Sequence, residues 1–147
     1  MLTNTLIELF KRDLNKLIEE INDYKDESNL WKLDGAVTNS TGNLCLHLIG
    51  NLNHFIGAIL GDTGYIRQRE LEFSLKDIPR KELIRHIEET INALESTLKS
   101  LSVEDLQKEY SLHVFKKAMT TEYFLVHLST HLAYHLGQIN YHRRLLD

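Results

Sequence analysis

The chain reads as an all-α four-helix bundle with long crossover connections. Three observations predict this fold. Apolar residues recur at alternating spacings of three and four in several separate stretches, proline occurs once in 147 residues, and 42% of the residues are hydrophobic against 26% charged. That length fits one domain, residues 1–147, with a full hydrophobic core, and no linker divides it.

Thr5 followed by Glu8 predicts a capping box at the start of the first helix. Ile7, Phe10, Leu14, Leu17, Ile21 and Tyr24 supply its stripe, and it ends before Ser28. Trp31 to Ser40 is a connection that contains Gly35 and finishes on Asn39 and Ser40, residues suited to a helix start. The second helix then runs to about Leu60, where Gly61 and Gly64 stop it. Tyr65 to Ile78 is a polar loop, Arg67-Gln68-Arg69-Glu70 closed by Phe73, long enough to cover a site. Pro79 falls in the first turn of the third helix. Leu83, Ile87, Ile91, Leu94, Leu98 and Leu101 form one stripe there, with no evident chemistry. Ser102 and Asp105 predict a short capped helix. The last helix begins near Thr120 or Thr121 with Glu122 in its first turn, and His142, Arg143 and Arg144 complement its C-terminal end. The long second-to-third and third-to-fourth connections permit a crossover.

The last helix carries His127, His131 and His135 at four-residue spacing. With Phe124 at zero, its apolar residues occupy an arc from about 0° to 120°; His135 falls near 20°, His131 near 340° and His127 near 300°. The inward pair is therefore His131 and His135. Ligands at i, i+4 and i+8 would span about 12 Å of axis, whereas an ion holds each imidazole nitrogen at roughly 2.0–2.1 Å. A third ligand must come from another helix. Between Gly35 and Gly61 no Asp, Glu, Lys or Arg occurs. There Leu44, Leu48, Leu52, Phe55, Ile56 and Ile59 make one apolar face, with Asn43, His47, Asn51 and His54 in a narrow polar stripe beside it. An uncharged stripe suits a buried or cleft-lining surface, and His47 is the leading third ligand. Cys45 is about 160° from His47 on the wheel and belongs to the core.

A lone histidine on an apolar edge is ordinarily a hydrogen-bonded core residue. The HxxxH pair, facing a histidine-bearing helix without charge, brings the metal reading level with that one. His54, His127 and His142 read as supporting or surface residues, Asn51 as a supporting one, and His86 and His113 show no clustering. Gln138, near 320° and one turn beyond His135, either orients a ligand or is a solvated amide. Arg67 and Arg69 either anchor an anionic substrate or pair with Glu70 or Glu72 in solvent.

Three imidazoles leave a coordination position open, the pattern of a catalytic rather than a structural site, suited to Lewis-acid or metal-hydroxide chemistry. Leu132 stands where H-E-x-x-H peptidases need their glutamate, which excludes that class. The E-x-x-H pairs of di-iron bundles and the phosphate-binding glycine loop are also missing. A net charge of −4 argues against nucleic acid. One cysteine excludes an intrachain disulfide framework and a Cys-based zinc cage. The N-terminus lacks a signal-peptide pattern, and the central apolar stretch is too rich in Asn, His and Gly for a membrane span. A cytoplasmic protein without membrane contact is expected.

The run Asn39-Ser40-Thr41-Gly42-Asn43-Leu44-Cys45-Leu46-His47-Leu48-Ile49-Gly50-Asn51, the segment Arg67 to Phe73, and His127 to Gln138 with Tyr134-His135-Leu136-Gly137-Gln138-Ile139 together resemble the DinB-like superfamily of metal-binding four-helix bundles. The likeness covers nearly the whole chain and is greatest to a subgroup of uncharacterised bacterial proteins. It implies His47, His131 and His135 as ligands to a divalent ion such as zinc or nickel, and often a homodimer. Better-known relatives are transferases or isomerases that use low-molecular-weight thiols. The expectation is a thiol-dependent transferase with a small-molecule substrate and no assigned catalytic side chain. The alternatives are a non-enzymatic metal-binding or stress-response bundle and a metal-dependent hydrolase.

Overall fold

A computed structural model describes residues 1–147, all α with no named strand. Helix α1 spans Leu2–Asn22. The expected capping box at Thr5 and Glu8 does not form. The helix starts four residues earlier, behind Met1, without a side-chain cap. Burial explains the extension, since Leu6 is buried and Leu2 packs against the core, so the apolar stripe continues for one more turn.

After a 3₁₀ turn at Glu27–Trp31, α2 begins at Thr41, with the Ser40 side chain accepting from Asn43 N–H as a cap. It continues to Gly61 through a π-helical turn at Asn53–Ala58. The left-handed position that ends it belongs to Asp62, at φ 49°, rather than to a glycine. Gly61 serves a different need, because Thr97 occupies the space a Cβ would take.

The segment expected as a loop contains a short helix, α3, at Arg69–Ser74. Its end is fixed by Asn43, whose Nδ2 donates to the carbonyls of Glu72 and Leu75, each at 2.9 Å. Pro79 precedes α4 (Arg80–Lys99) instead of lying inside its first turn. Ser102 and Asp105 form the expected capping box of α5, Val103–Gln107. Helix α6 runs from Thr121 to Leu146, capped by Thr120.

Helices α1 and α2 each pack against both α4 and α6. The connections that cross the bundle are therefore those from α1 to α2 and from α4 to α6. The long stretch between α2 and α4 joins neighbours, contrary to expectation, because α3 folds back to cover α2. By length and composition Thr41–Gly61 could cross a membrane. In the bundle its Leu44, Cys45, Leu48, Leu52 and Ile56 are instead core residues.

The end of α6 also differs from expectation. His142 is buried, one turn after buried Ile139, in a polar chain where Tyr24 Oη lies 2.7 Å from its Nδ1 and 2.6 Å from Thr41 Oγ1, while Nε2 donates to the Lys32 carbonyl at 2.8 Å. Arg143 pairs with buried Glu20 at 2.8 Å, and Arg144 lies over the Tyr141 ring. Arg143 and Arg144 stand in the last turn, as the dipole reading expects, while His142 and Arg143 are in addition held by these buried contacts.

Candidate metal centre

The uncharged stripe of α2 faces the histidine edge of α6. His47 Nε2 lies 3.3 Å from His131 Nε2, which lies 3.1 Å from His135 Nε2. The three ligand atoms are all within 4.8 Å of one another. A tetrahedral ion with bonds of roughly 2.0–2.1 Å sets its ligand nitrogens about 3.3 Å apart, close to the two spacings observed. His47 is buried and the α6 pair is half-buried, so the group sits at the edge of the core.

Proton positions follow from the partners of the other ring nitrogens. His47 Nδ1 is 3.1 Å from Glu72 Oε1. Burial alone would raise the Glu72 carboxyl, but hydrogen bonds from His47 and Arg67 hold it below the usual carboxylate range. Glu72 is therefore ionised and accepts, so Nδ1 carries the His47 proton. His135 Nδ1 donates to Gln138 Oε1 at 2.7 Å. Both rings then present bare Nε2 lone pairs to His131. Burial, and after it the neighbouring His135 and His47, push the His131 pKa down to about 4, so that ring is neutral at pH 7 and has a single proton. If the proton is on Nε2 it can serve one neighbour only. If it is on Nδ1, which is buried without a hydrogen-bond partner, three lone pairs converge. A cation at their centre relieves either arrangement, so the donor set fits a divalent metal.

Sequence reasoning named Glu72 as a solvent partner of Arg67 or Arg69 and missed its burial and its place behind His47. Arg67 clamps it with Nε to Oε2 at 2.9 Å and Nη2 to Oε1 at 3.0 Å, and this ion pair is buried. The signal available was Gly50, three residues after His47. A Cβ there would collide with the Glu72 carboxylate, so the glycine marks the space through which that side chain reaches His47.

The remaining expected site residues are dispersed around this core. Arg67 spends its guanidinium on Glu72, also lying over Phe55, and Arg69 lies over the Phe73 ring. Gln138 meets His135 directly. Asn51 is buried with Oδ1 unpaired. His54 is half-buried and its pKa is lowered, first by burial and then by Arg67. His127 falls outside the ligand group, stacked on Phe124 and edge-on to Phe115. Cys45 is fully buried, and burial pushes its thiol up, out of range of ordinary reactivity.

The depressed His131 pKa has a measurable consequence for the metal-free protein. Between pH 6.5 and 4 the unfolded chain binds a proton at this residue that the folded chain refuses, so stability is full above about 6.5, declines as pH falls from there to about 4, and loses nothing further from this group below that. His135, also lowered chiefly by burial, adds in the same direction. Thermal melts across this range should show a falling midpoint, with a shallower slope in His131→Gln. Equal slopes would remove His131 as the titrating group.

Among curated proteins, none matches the chain. A family described as a protein of unknown function, DUF1572, matches residues 3–147. With its helical bundle and three-histidine cluster, the chain belongs to the DUF1572 family of DinB/YfiT-like helical proteins.

Proposed function

We propose that His47, His131 and His135 hold one divalent ion, zinc or nickel, and that the centre serves thiol-dependent group transfer on a small-molecule substrate. The observation that carries the metal reading is the convergence of three Nε2 atoms, two of them left free because Glu72 and Gln138 hold the ring protons on Nδ1. A divalent ion bound there supplies Lewis acidity that lowers the pKa of a thiol.

The chain's own residues support thiol chemistry over hydrolysis. Glu72 is committed to His47 and Arg67 and is unavailable as a general base toward water. Thiol activation needs no such base. His47 is fixed from behind by the carboxylate and His135 by Gln138, which orients both rings and keeps their lone pairs on one point. The resemblance to thiol-using DinB-like relatives agrees with this choice.

Zinc- or nickel-loaded protein should join a low-molecular-weight thiol to an electrophile such as 1-chloro-2,4-dinitrobenzene. In that reaction a carbon–sulfur bond forms, chloride leaves with its electron pair, and the thiol proton passes to buffer. His135→Ala should abolish turnover. If a broad panel of thiols and electrophiles shows no metal-dependent turnover, and the metal changes thermal stability alone, the centre is structural and the transferase reading fails.

A further inference from the structure

A cavity of about 570 Å³ is walled by the Asp34–Asn39 connection and the end of α6. Its volume is in the range of small-molecule sites. Leu44 of α2 and Gln138 of α6 both line it. Leu44 precedes His47 by one helical turn, and Gln138 follows His135 by one turn and holds its Nδ1 at 2.7 Å. The cavity therefore lies one helical turn from the histidine centre on both α2 and α6, with none of the three histidines in its wall. Gln138 also borders a groove between α1 and α6 walled by Arg12, Asp13, Lys16 and Glu20. That groove touches no residue of α2, so it reaches only one of the two helices that carry the histidines.

The chemistry of the wall selects the ligand. Ala36, Val37, Leu44, Tyr141, Leu145 and Leu146 supply apolar surface, Thr38, Asn39 and Gln138 add uncharged polar groups, and no Lys or Arg lines the cavity. Asp34 is its one carboxylate. His142 presents only its ring there, because Tyr24 and the Lys32 carbonyl occupy both nitrogens. An anionic group placed in this space would lose hydration without gaining a cation, and would face Asp34.

We infer that this cavity binds the uncharged apolar body of the molecule whose reacting end meets the histidine centre. An anionic body is disfavoured by the missing cation and by Asp34. The inference rests on the proposed metal reading for the reacting end alone, and the cavity itself can be tested without metal. N-phenyl-1-naphthylamine and its sulfonated counterpart 8-anilino-1-naphthalenesulfonate differ by one negative charge and fluoresce on entering apolar surroundings. Metal-free protein should bind the neutral dye at least about tenfold more tightly than the anionic one, given the cost of stripping water from an unpaired sulfonate. Leu145, 74% exposed, can be changed without disturbing the core. Leu145→Asp should weaken the neutral dye about tenfold by placing a charge on the apolar wall, and Val37→Trp should weaken it by filling the space. Lys16→Glu, in the neighbouring groove, should leave it unchanged.

In zinc-loaded protein, benzyl mercaptan should displace the neutral dye and 4-(mercaptomethyl)benzoate should not. Equal affinity for the two dyes, or insensitivity to both cavity variants, overturns the inference. So does equal displacement by the two thiols. Loss of zinc binding with the dye selectivity intact would sink the metal reading and leave the cavity standing.

Discussion

Replacing His131 or His135 with alanine will empty the centre, while His127→Ala will leave metal content unchanged. The two inward rings each contribute an Nε2 to the converging set. The His127 ring is centred 6.3 Å from that of His131 and packs against Phe115 and Phe124 instead. If the free energy of metal binding at a protein site is about 10–16 kcal/mol, removing one of three ligands forfeits roughly a third of it, a loss of at least a hundredfold in affinity. Elemental analysis of tag-free protein after gel filtration should find close to one ion in the wild type and His127→Ala, and almost none in His47→Ala, His131→Ala or His135→Ala. Equal depletion across all four variants would show that the geometry does not select the ligands.

The second large effect is expected at Gly50, a residue with no chemistry of its own. Its alanine variant drives a methyl group into the Glu72 carboxylate. The carboxylate cannot swing aside cheaply because His47 and Arg67 hold Oε1 between them and Arg67 also holds Oε2. Overpacking of this kind costs about 1–3 kcal/mol. Losing the carboxylate behind a metal-ligating histidine lowers metal affinity about 10–100-fold, so both properties should fall together in Gly50→Ala. Glu72→Gln should reproduce the affinity loss without the clash. A double-mutant cycle in urea separates contact from coincidence: in a Glu72→Ala background the penalty of Gly50→Ala should shrink. An undiminished penalty would mean that the glycine serves some other neighbour.

What the sequence disclosed, and what it withheld, follows from the range of the forces involved. Helices α1, α4 and α6 bury one face each, so Leu14, Leu83 and Leu128 fall into a period visible along the chain. Helix α3 has no such period. Glu72 is its one buried residue, and beyond its near neighbour Arg67 the segment is held by Asn43 and His47, partners that no local pattern announces. The π turn of α2 was equally invisible. Asn53 supports it by donating to the Ile49 carbonyl and to Thr90 of α4, a neighbour 37 residues away. Wheel angles taken at a constant 100° per residue therefore hold for His47 but drift beyond Asn53. The inward pair on α6 could be read because four-residue spacing is local geometry. The uncharged stripe pointed to His47 because ordinary solvent-facing helices carry Lys or Glu. Glu72 stands 25 residues from His47 and needed the fold to bring it there.

His47 and His131 are 84 residues apart in the chain. Closing a loop of that length costs a flexible polymer about 4 kcal/mol of chain entropy. In the unfolded ensemble the histidines therefore behave as scattered weak donors, and in the native state as a chelate whose entropy folding has already settled. Tight capture of an ion becomes a report on completed topology: a protein that has docked α6 on α2 offers three ligands, and one that has formed its helices without docking them offers only the weaker His131–His135 pair. Refolding followed through metal uptake would thus register the slowest long-range step of assembly, whereas helical content would rise before it.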